Sequence, residues 1–164
     1  MAATWWRHLL MTPLALRRAF PPEALAAINE AVAAGERRHG AEVRVAVEAA
    51  FGLRQLWHRV TPRERAVDVF SQLRMWDTAA NNGVLVYILL AEQDIEIVAD
   101  RAFSGRVPPT AWTDICSDLA AAFRAGDHRD GVIRAVERVH ALAAPLFPPA
   151  GPGQDELPDA TVVL

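Results

Sequence analysis

Seven consecutive apolar residues, Val84 to Leu90, follow Gly83 without a single charge. A run of that length bounded by a glycine reads as a central strand, and a strand open to water on one side would alternate apolar with polar residues. The run therefore requires cover on both faces, and its flanks supply it. Val43, Val45 and Val47 alternate with Glu42, Arg44, Ala46 and Glu48, the period-two pattern of a second strand. Thr61-Pro62-Arg63-Glu64 is a capping box with proline at the first helical position, and it opens a helix whose core face is Val67, Phe70 and Leu73, with Ala66 and Val69 beside them. After a polar break at Ala91 to Asp94, Ile95-Glu96-Ile97-Val98 resumes an alternating strand that pairs back as a hairpin.

Three further helices follow from spacing. Pro21-Pro22-Glu23 opens one with Leu25, Ile28 and Val32 on a single face, ending near His39-Gly40. Trp112, Ile115, Cys116, Leu119 and Phe123 mark a second, and Gly126-Asp127 stops it. Val132, Val136 and Val139 mark the last, which Pro145 ends. Residues 1–20 are expected to form an N-terminal helical segment, 21–147 one α/β domain, and 148–164 a flexible Pro/Gly-rich and acidic tail.

A chain of 164 residues holds one domain with a substantial core. The formal charge of −3 provides no basic field for a polyanion, so no nucleic-acid partner is expected. All seventeen cationic residues are arginine, which leaves no lysine for a Walker-type phosphate loop or a Schiff base. Cys116 is the single cysteine, so there is no internal disulfide, and the five histidines show no close pair at zinc-ligand spacing. No apolar run reaches transmembrane length, because Arg7, His8, Arg17 and Arg18 interrupt the start. The chain reads as cytoplasmic. Trp5 and Trp6 leave peripheral contact with a membrane surface open, and that segment or the acidic tail would also serve a protein partner.

Topology brings distant polar residues together. A helix between Val47 and Val84 makes the two strands parallel, so their starting ends share one sheet edge, and the hairpin returns the end of the third strand to that edge. Glu42 begins the first strand, Asp77, Asn81 and Asn82 lead into the second, and Asp100 ends the third. Carboxylates and amides without thiolate or paired imidazole suit a hard divalent cation. The competing reading is that Asp77, Asn81 and Asn82 only build a turn, since such side chains bond their own backbone. Ligands of open parallel sheets also usually sit at carboxyl ends, whereas this cluster lies at two amino ends.

At these residues the chain resembles the TPM domain family. The resemblance is carried by Gly40-Ala41-Glu42-Val43-Arg44-Val45, Met75-Trp76-Asp77-Thr78, Asn82-Gly83-Val84-Leu85-Val86-Tyr87, Ile97-Val98-Ala99-Asp100-Arg101 and Phe123-Arg124-Ala125-Gly126-Asp127 with Gly131. Asp155-Glu156-Leu157-Pro158-Asp159 is similar to the ending of a soluble bacterial branch. The resemblance implies a three-layer α/β/α sandwich with a small mixed sheet flanked by helices. It also implies divalent-metal binding and phosphatase activity in some members, with Glu42, Asp77, Asn81, Asn82 and Asp100 as the metal-ligating set, calcium ahead of magnesium. One departure is Ala102-Phe103, where similar proteins carry glycine and an aliphatic residue after the Asp-Lys/Arg pair, so glycine's freedom at that turn is lost.

For phosphatase chemistry the residues offer Arg101 as the candidate catalytic group, with Arg106 beside it, to neutralise phosphate oxygens. A cysteine phosphatase would need arginine six positions after Cys116, where Ala122 stands, and no Gly-x-Ser-x-Gly elbow surrounds Ser71, Ser104 or Ser117. Trp76 and Trp112 are expected in the core, and Asp127 is expected to cap a helix. Two functions stay open: a divalent-cation-binding domain with an accessory or interaction role, and a metal-dependent phosphomonoesterase.

Overall fold

A computed structural model describes residues 13–149 and 157–164 of the chain. Residues 1–12, with most of the expected N-terminal segment, lie outside them. The described elements run α1 (Pro13–Ala19), α2 (Pro22–Glu36), β1 (Glu42–Glu48), α3 (Leu53–Trp57), α4 (Pro62–Gln72), β2 (Gly83–Leu89), β3 (Asp94–Ala99), a 3-10 turn (Arg101–Phe103), α5 (Pro109–Arg124), α6 (His128–Ala143) and β4 (Val162–Val163). They form a mixed sheet of order β3-β2-β1-β4.

β1 and β2 pair in parallel from Glu42↔Gly83 to Glu48↔Leu89, and β3 returns antiparallel on β2 from Leu89↔Asp94 to Val84↔Ala99. Alternation along these strands separates two cores. Val43, Val45, Val47, Val84, Val86, Ile88 and Ile97 join Ile28 and Val32 of α2, Ile115 and Leu119 of α5 and Val136 and Val139 of α6. Ala46, Leu85, Tyr87, Leu89 and Val98 face Ala66, Val69 and Phe70 of α4. Every residue of β2 is buried, which is the physical content of its unbroken apolar sequence. The capping box at α4 forms as the sequence requires: Thr61 Oγ1 accepts from the Glu64 N–H while the Glu64 carboxylate accepts from the Thr61 N–H.

The run's single hydroxyl needs a partner in this apolar setting, and Tyr87 donates to Glu48 Oε2 at 2.6 Å. Arg65 of α4 completes the group, its Nε 2.8 Å from the same oxygen. Removing one member would strand the others away from water.

The far end of the chain differs from the expected flexible tail. Val162 and Val163 pair in parallel with Ala46 and Val47, giving β1 a neighbour on its otherwise open edge. Thr161 donates from both its N–H and hydroxyl to Asn29 Oδ1, and Leu157 N–H donates to Glu42. Residues 150–156 of that tail lie outside the described residues. Asp127 differs too: it precedes α6 but makes no side-chain cap bond, pairing instead with Arg134 at 2.8 Å. Trp76, expected in the core, is 52% exposed, because α4 ends at Gln72 and Trp76 lies beyond its core face. Trp112 does pack, edge-on to Phe103 at 5.6 Å between ring centres.

His39 and His140, 101 residues apart, meet in the interior with Nε2 and Nδ1 2.8 Å apart. His39 Nδ1 accepts from the Ala41 N–H, so the neutral ring carries its proton on Nε2 and donates to His140. The His140 ring fills the space beside Gly35, where an added Cβ would fall 2.0 Å from ring atoms. Burial, together with the neighbouring His39 and Arg38 charges, lowers the His140 pKa from 6.5 to about 4. The unfolded ring binds a proton as pH falls through 6.5 while the native ring does not until about 4. Stability from neutral His140 is thus complete above that upper value and lost as pH falls through the window, on the order of 3 kcal/mol in all. Urea unfolding of wild type and His140→Asn from pH 7.5 to 4.5 tests this: the stability of the wild type relative to the variant should fall as pH falls, and a constant difference between the two would contradict the assignment.

Candidate metal centre

Three loops meet at the edge where β1 and β2 begin and β3 ends. Asn82 enters β2 and donates from Nδ2 to the Gly40 carbonyl before β1 at 2.6 Å. Asp100 leaves β3, and its N–H donates to the Gly83 carbonyl at 2.9 Å. Ala102 N–H donates to the Asn81 carbonyl, and Arg101 Nη2 to Asn81 Oδ1 at 2.6 Å. Each loop is therefore fixed by a polar group of another, which preorganises the edge.

Local chemistry explains the conformations. Asn81 has φ of 51°, the left-handed region that asparagine tolerates, and its N–H bonds the Thr78 carbonyl in a tight turn. Thr78, itself buried, accepts the Asn82 N–H on its hydroxyl. Gly83 is required by crowding: a Cβ there would stand 2.2 Å from the Met75 carbonyl oxygen. This close approach is the physical meaning of the Asn-Gly-Val sequence. Asp100 caps the 3-10 turn, its Oδ1 accepting the Arg101 N–H at 2.6 Å. That turn needs no glycine at position 102; the left-handed residue comes later, at Gly105 with φ of 72°.

The five sequence-nominated ligands do not share one environment. Asn82 is buried and its Oδ1 has no hydrogen-bond partner, and the same is true of the buried Asp100 Oδ2. Buried acceptors without partners are uncommon and point to a group that completes them. Asn81 lies beside them, with its amide oxygen engaged by Arg101. Asp77 instead points outward, exposed and ion-paired with Arg74. Glu42 lies opposite Gly83 on β1, two strand spacings or about 10 Å of backbone from Asp100, and its carboxylate accepts the Leu157 N–H of the C-terminal segment. Among the described residues no three His, Cys, Asp or Glu side chains gather as a metal-holding group. A cation here would rest on one carboxylate, one amide oxygen and backbone or solvent oxygens, a set that fits the oxygen preference and flexible geometry of calcium.

Beside Asp100 opens a cavity of about 630 Å³ lined by Phe103, Ser104, Arg106, Pro108 and Trp112 among others. Arg101, Ser104 and Arg106 are exposed at this end of the sheet, and the Arg106 guanidinium lies 5.3 Å from the centre of the Phe147 ring. Cys116 offers no nucleophile: burial, then the Glu96 charge, pushes its thiol up to about 11.

A second polar group was not legible in the sequence. Glu36, the last residue of α2, accepts the Val43 N–H at 2.6 Å and shares a hydrogen bond with Asp159. Burial, then the nearby Asp159 and Glu42, raises its pKa to about 9, so it is protonated at neutral pH. With buried Arg44 alongside, these residues tie the C-terminal segment to the start of β1.

The TPM domain family model matches residues 17–142. Among solved structures, the chain is similar to the BA42 protein from the psychrophilic bacterium Bizionia argentinensis, with 26% identity over 87% of this chain and 93% of that one and a TM-score of 0.75. It also shares its fold with the N-terminal domain of a protein from P. gingivalis, with 17% identity over 79% and 80% of the two chains and a TM-score of 0.64. Among curated proteins none matches it.

The Gly83 contact gives a direct test of how the edge is built. Gly83→Ala should destabilise the fold by about 3 kcal/mol, since the Met75 backbone must move. Chemical denaturation measures it, and an effect near zero would show that the loop has no fixed approach to β2.

Proposed function

The chain belongs to the TPM domain family, and from that premise we propose that it is a divalent-cation-binding domain with an accessory or interaction role, calcium being the preferred ion. The observation that carries this reading is the pair of buried oxygens, Asn82 Oδ1 and Asp100 Oδ2, left without hydrogen-bond partners where three loops meet. Asp100 supplies the charge, Asn82 a neutral oxygen held in place by its own bond to Gly40, and Asn81 shapes the turn. Asp77 and Glu42 act outside this inner pair, on Arg74 and on the C-terminal segment. Cation binding in this reading joins the entry to β2 with the exit from β3, and so stabilises the loops rather than a reaction.

A second reading, a phosphomonoesterase, is favoured by one observation: the cavity beside Asp100 carries Arg106 and Ser104, with Arg101 next to it. A divalent cation at Asp100 would supply charge neutralisation at a phosphoryl group. Arg101 and Arg106 would hold the remaining phosphate oxygens, with Trp112 and Phe103 against the organic part of the ester.

Thermal unfolding of metal-stripped protein separates these outcomes. Saturating calcium should raise the midpoint by about 5 °C or more in the wild type and leave Asp100→Ala unmoved, whereas no rise in the wild type would remove the cation reading. Hydrolysis of p-nitrophenyl phosphate lost in both Asp100→Ala and Arg101→Ala, with folding intact, would favour the enzyme. Activity surviving both substitutions would come from a contaminant.

A further inference from the structure

The opposite edge of the sheet, where β1 and β2 end, has a different chemistry. α3 follows β1 there, closed on itself by two hydrogen bonds and held to the body by apolar packing and by Gln55 Nε2, which donates to Glu48 Oε1 at 3.4 Å. Gly52 N–H donates to Gln55 Oε1 at 2.6 Å, Val60 N–H donates to the Gln55 carbonyl at 3.0 Å, and Phe51 and Leu56 pack inward on the second core. Leu53 and Trp57, one helical turn apart on the outer face, are 77% and 86% exposed. Two large apolar side chains left in water on a fixed hook contribute no burial to the fold, and their projection side by side points to a use outside the domain.

Two other segments deliver apolar side chains to the same edge. β4 runs parallel to β1, and the N–H of Leu164, just after it, donates to the Val47 carbonyl, which puts exposed Val163 and Leu164 there. α1 lies against the end of β2, where Ala15, Arg18 and Ala19 line a hollow with Leu90 and Gln93, and Leu14 beside them is exposed. Five of the seven exposed large apolar residues among those described are therefore on this edge; Val67 and Trp76 are the others.

Charge distinguishes what would cover it. From Ala49 to Arg63 the chain has no carboxylate but carries Arg54, Arg59, Arg63 and His58, although the whole chain is net acidic. Arg54, His58 and Arg59 are exposed beside Trp57, and Arg17 and Arg18 are exposed on α1, which packs on the other face of the sheet. Of the carboxylates near this edge, Glu48 is buried against Tyr87 and Arg65, Glu64 is bonded to Thr61 at the start of α4, and Glu92 and Asp94 sit where the chain turns into β3, on the β3 side of the sheet. Projecting indole and aliphatic tips interleaved with guanidinium groups match a surface that is anionic outside and apolar beneath.

We propose that this edge docks on an anionic lipid bilayer, with Trp57 at the headgroup boundary, Leu53 and Leu14 below it, and Arg54, Arg59, Arg17 and Arg18 on the phosphates. The surface is independent of the cation reading, whose residues face the other edge of the sheet.

Vesicle flotation of the full chain tests it, using phosphatidylcholine with and without phosphatidylglycerol. The chain should bind the anionic vesicles, be released by high salt and leave the neutral ones unbound. Leu53→Ser/Trp57→Ser should weaken binding about tenfold or more, and Arg54→Glu/Arg59→Glu about twentyfold or more, since each cation near such a surface contributes about fivefold. Asp100→Ala should bind as wild type does, which separates this proposal from the cation site. All substituted residues of the two double variants are exposed, and circular dichroism verifies their folding. Equal binding to both vesicle types, binding unchanged in both double variants, or no binding would each overturn the proposal. A wild type that fails to float yet dimerises in sedimentation, with Trp57→Ser monomeric, would assign the edge to a second copy of the chain instead.

Discussion

Parallel pairing of β1 with β2 is the contact on which the rest of this molecule depends. It buries seven residues of β2 on both faces at once, so helices must cover each side, and the crossover through α4 satisfies one of them. Because the two strands run the same way, their starting ends are forced to a common edge. The β3 hairpin then brings Asp100 back to Gly83. A polar cluster assembled from residues 40, 81, 82 and 100 is a consequence of this topology, not of any local motif.

The same pairing creates problems that polar residues resolve. Tyr87 places a hydroxyl in an apolar layer, and Glu48 with Arg65 satisfies it. β1 would be an open edge strand, and the C-terminal segment closes it through β4, with Glu36, Glu42 and Asp159 beneath. In both places a carboxylate is buried only where a donor or a shared proton accompanies it, as its desolvation demands.

Much of the fold was legible because its signals are periodic or stereochemical. The apolar run, the alternation of Val43 to Val47 and the Thr61-Glu64 capping box each depend on neighbours in sequence, and each forms as written. β4 was not legible: two valines after an acidic, proline-containing stretch have no pattern of their own, and their partner lies more than a hundred residues away. The His39–His140 pair and the Glu36–Asp159 bond were hidden for the same reason. At the candidate metal centre topology correctly gathered Asn81, Asn82 and Asp100 at one edge. It carried no information on side-chain direction, which sends Asp77 to Arg74 and Glu42 to Leu157. The turn reading holds for Asn81, which shapes a turn, while Asn82 keeps a buried oxygen free of hydrogen bonds.

The central claim is that Asn82 Oδ1 and Asp100 Oδ2 form the inner part of a cation site. Its most direct test is a calcium titration followed by NMR on the Asn82 side-chain amide protons and the backbone amides of Gly83, Asp100 and Arg101. The account predicts saturable shifts at these positions, while the Asp77 and Leu157 amides, on the outward turn and the C-terminal segment, move little. Shifts centred on Asp77 or Leu157, or none anywhere up to millimolar calcium, would contradict it.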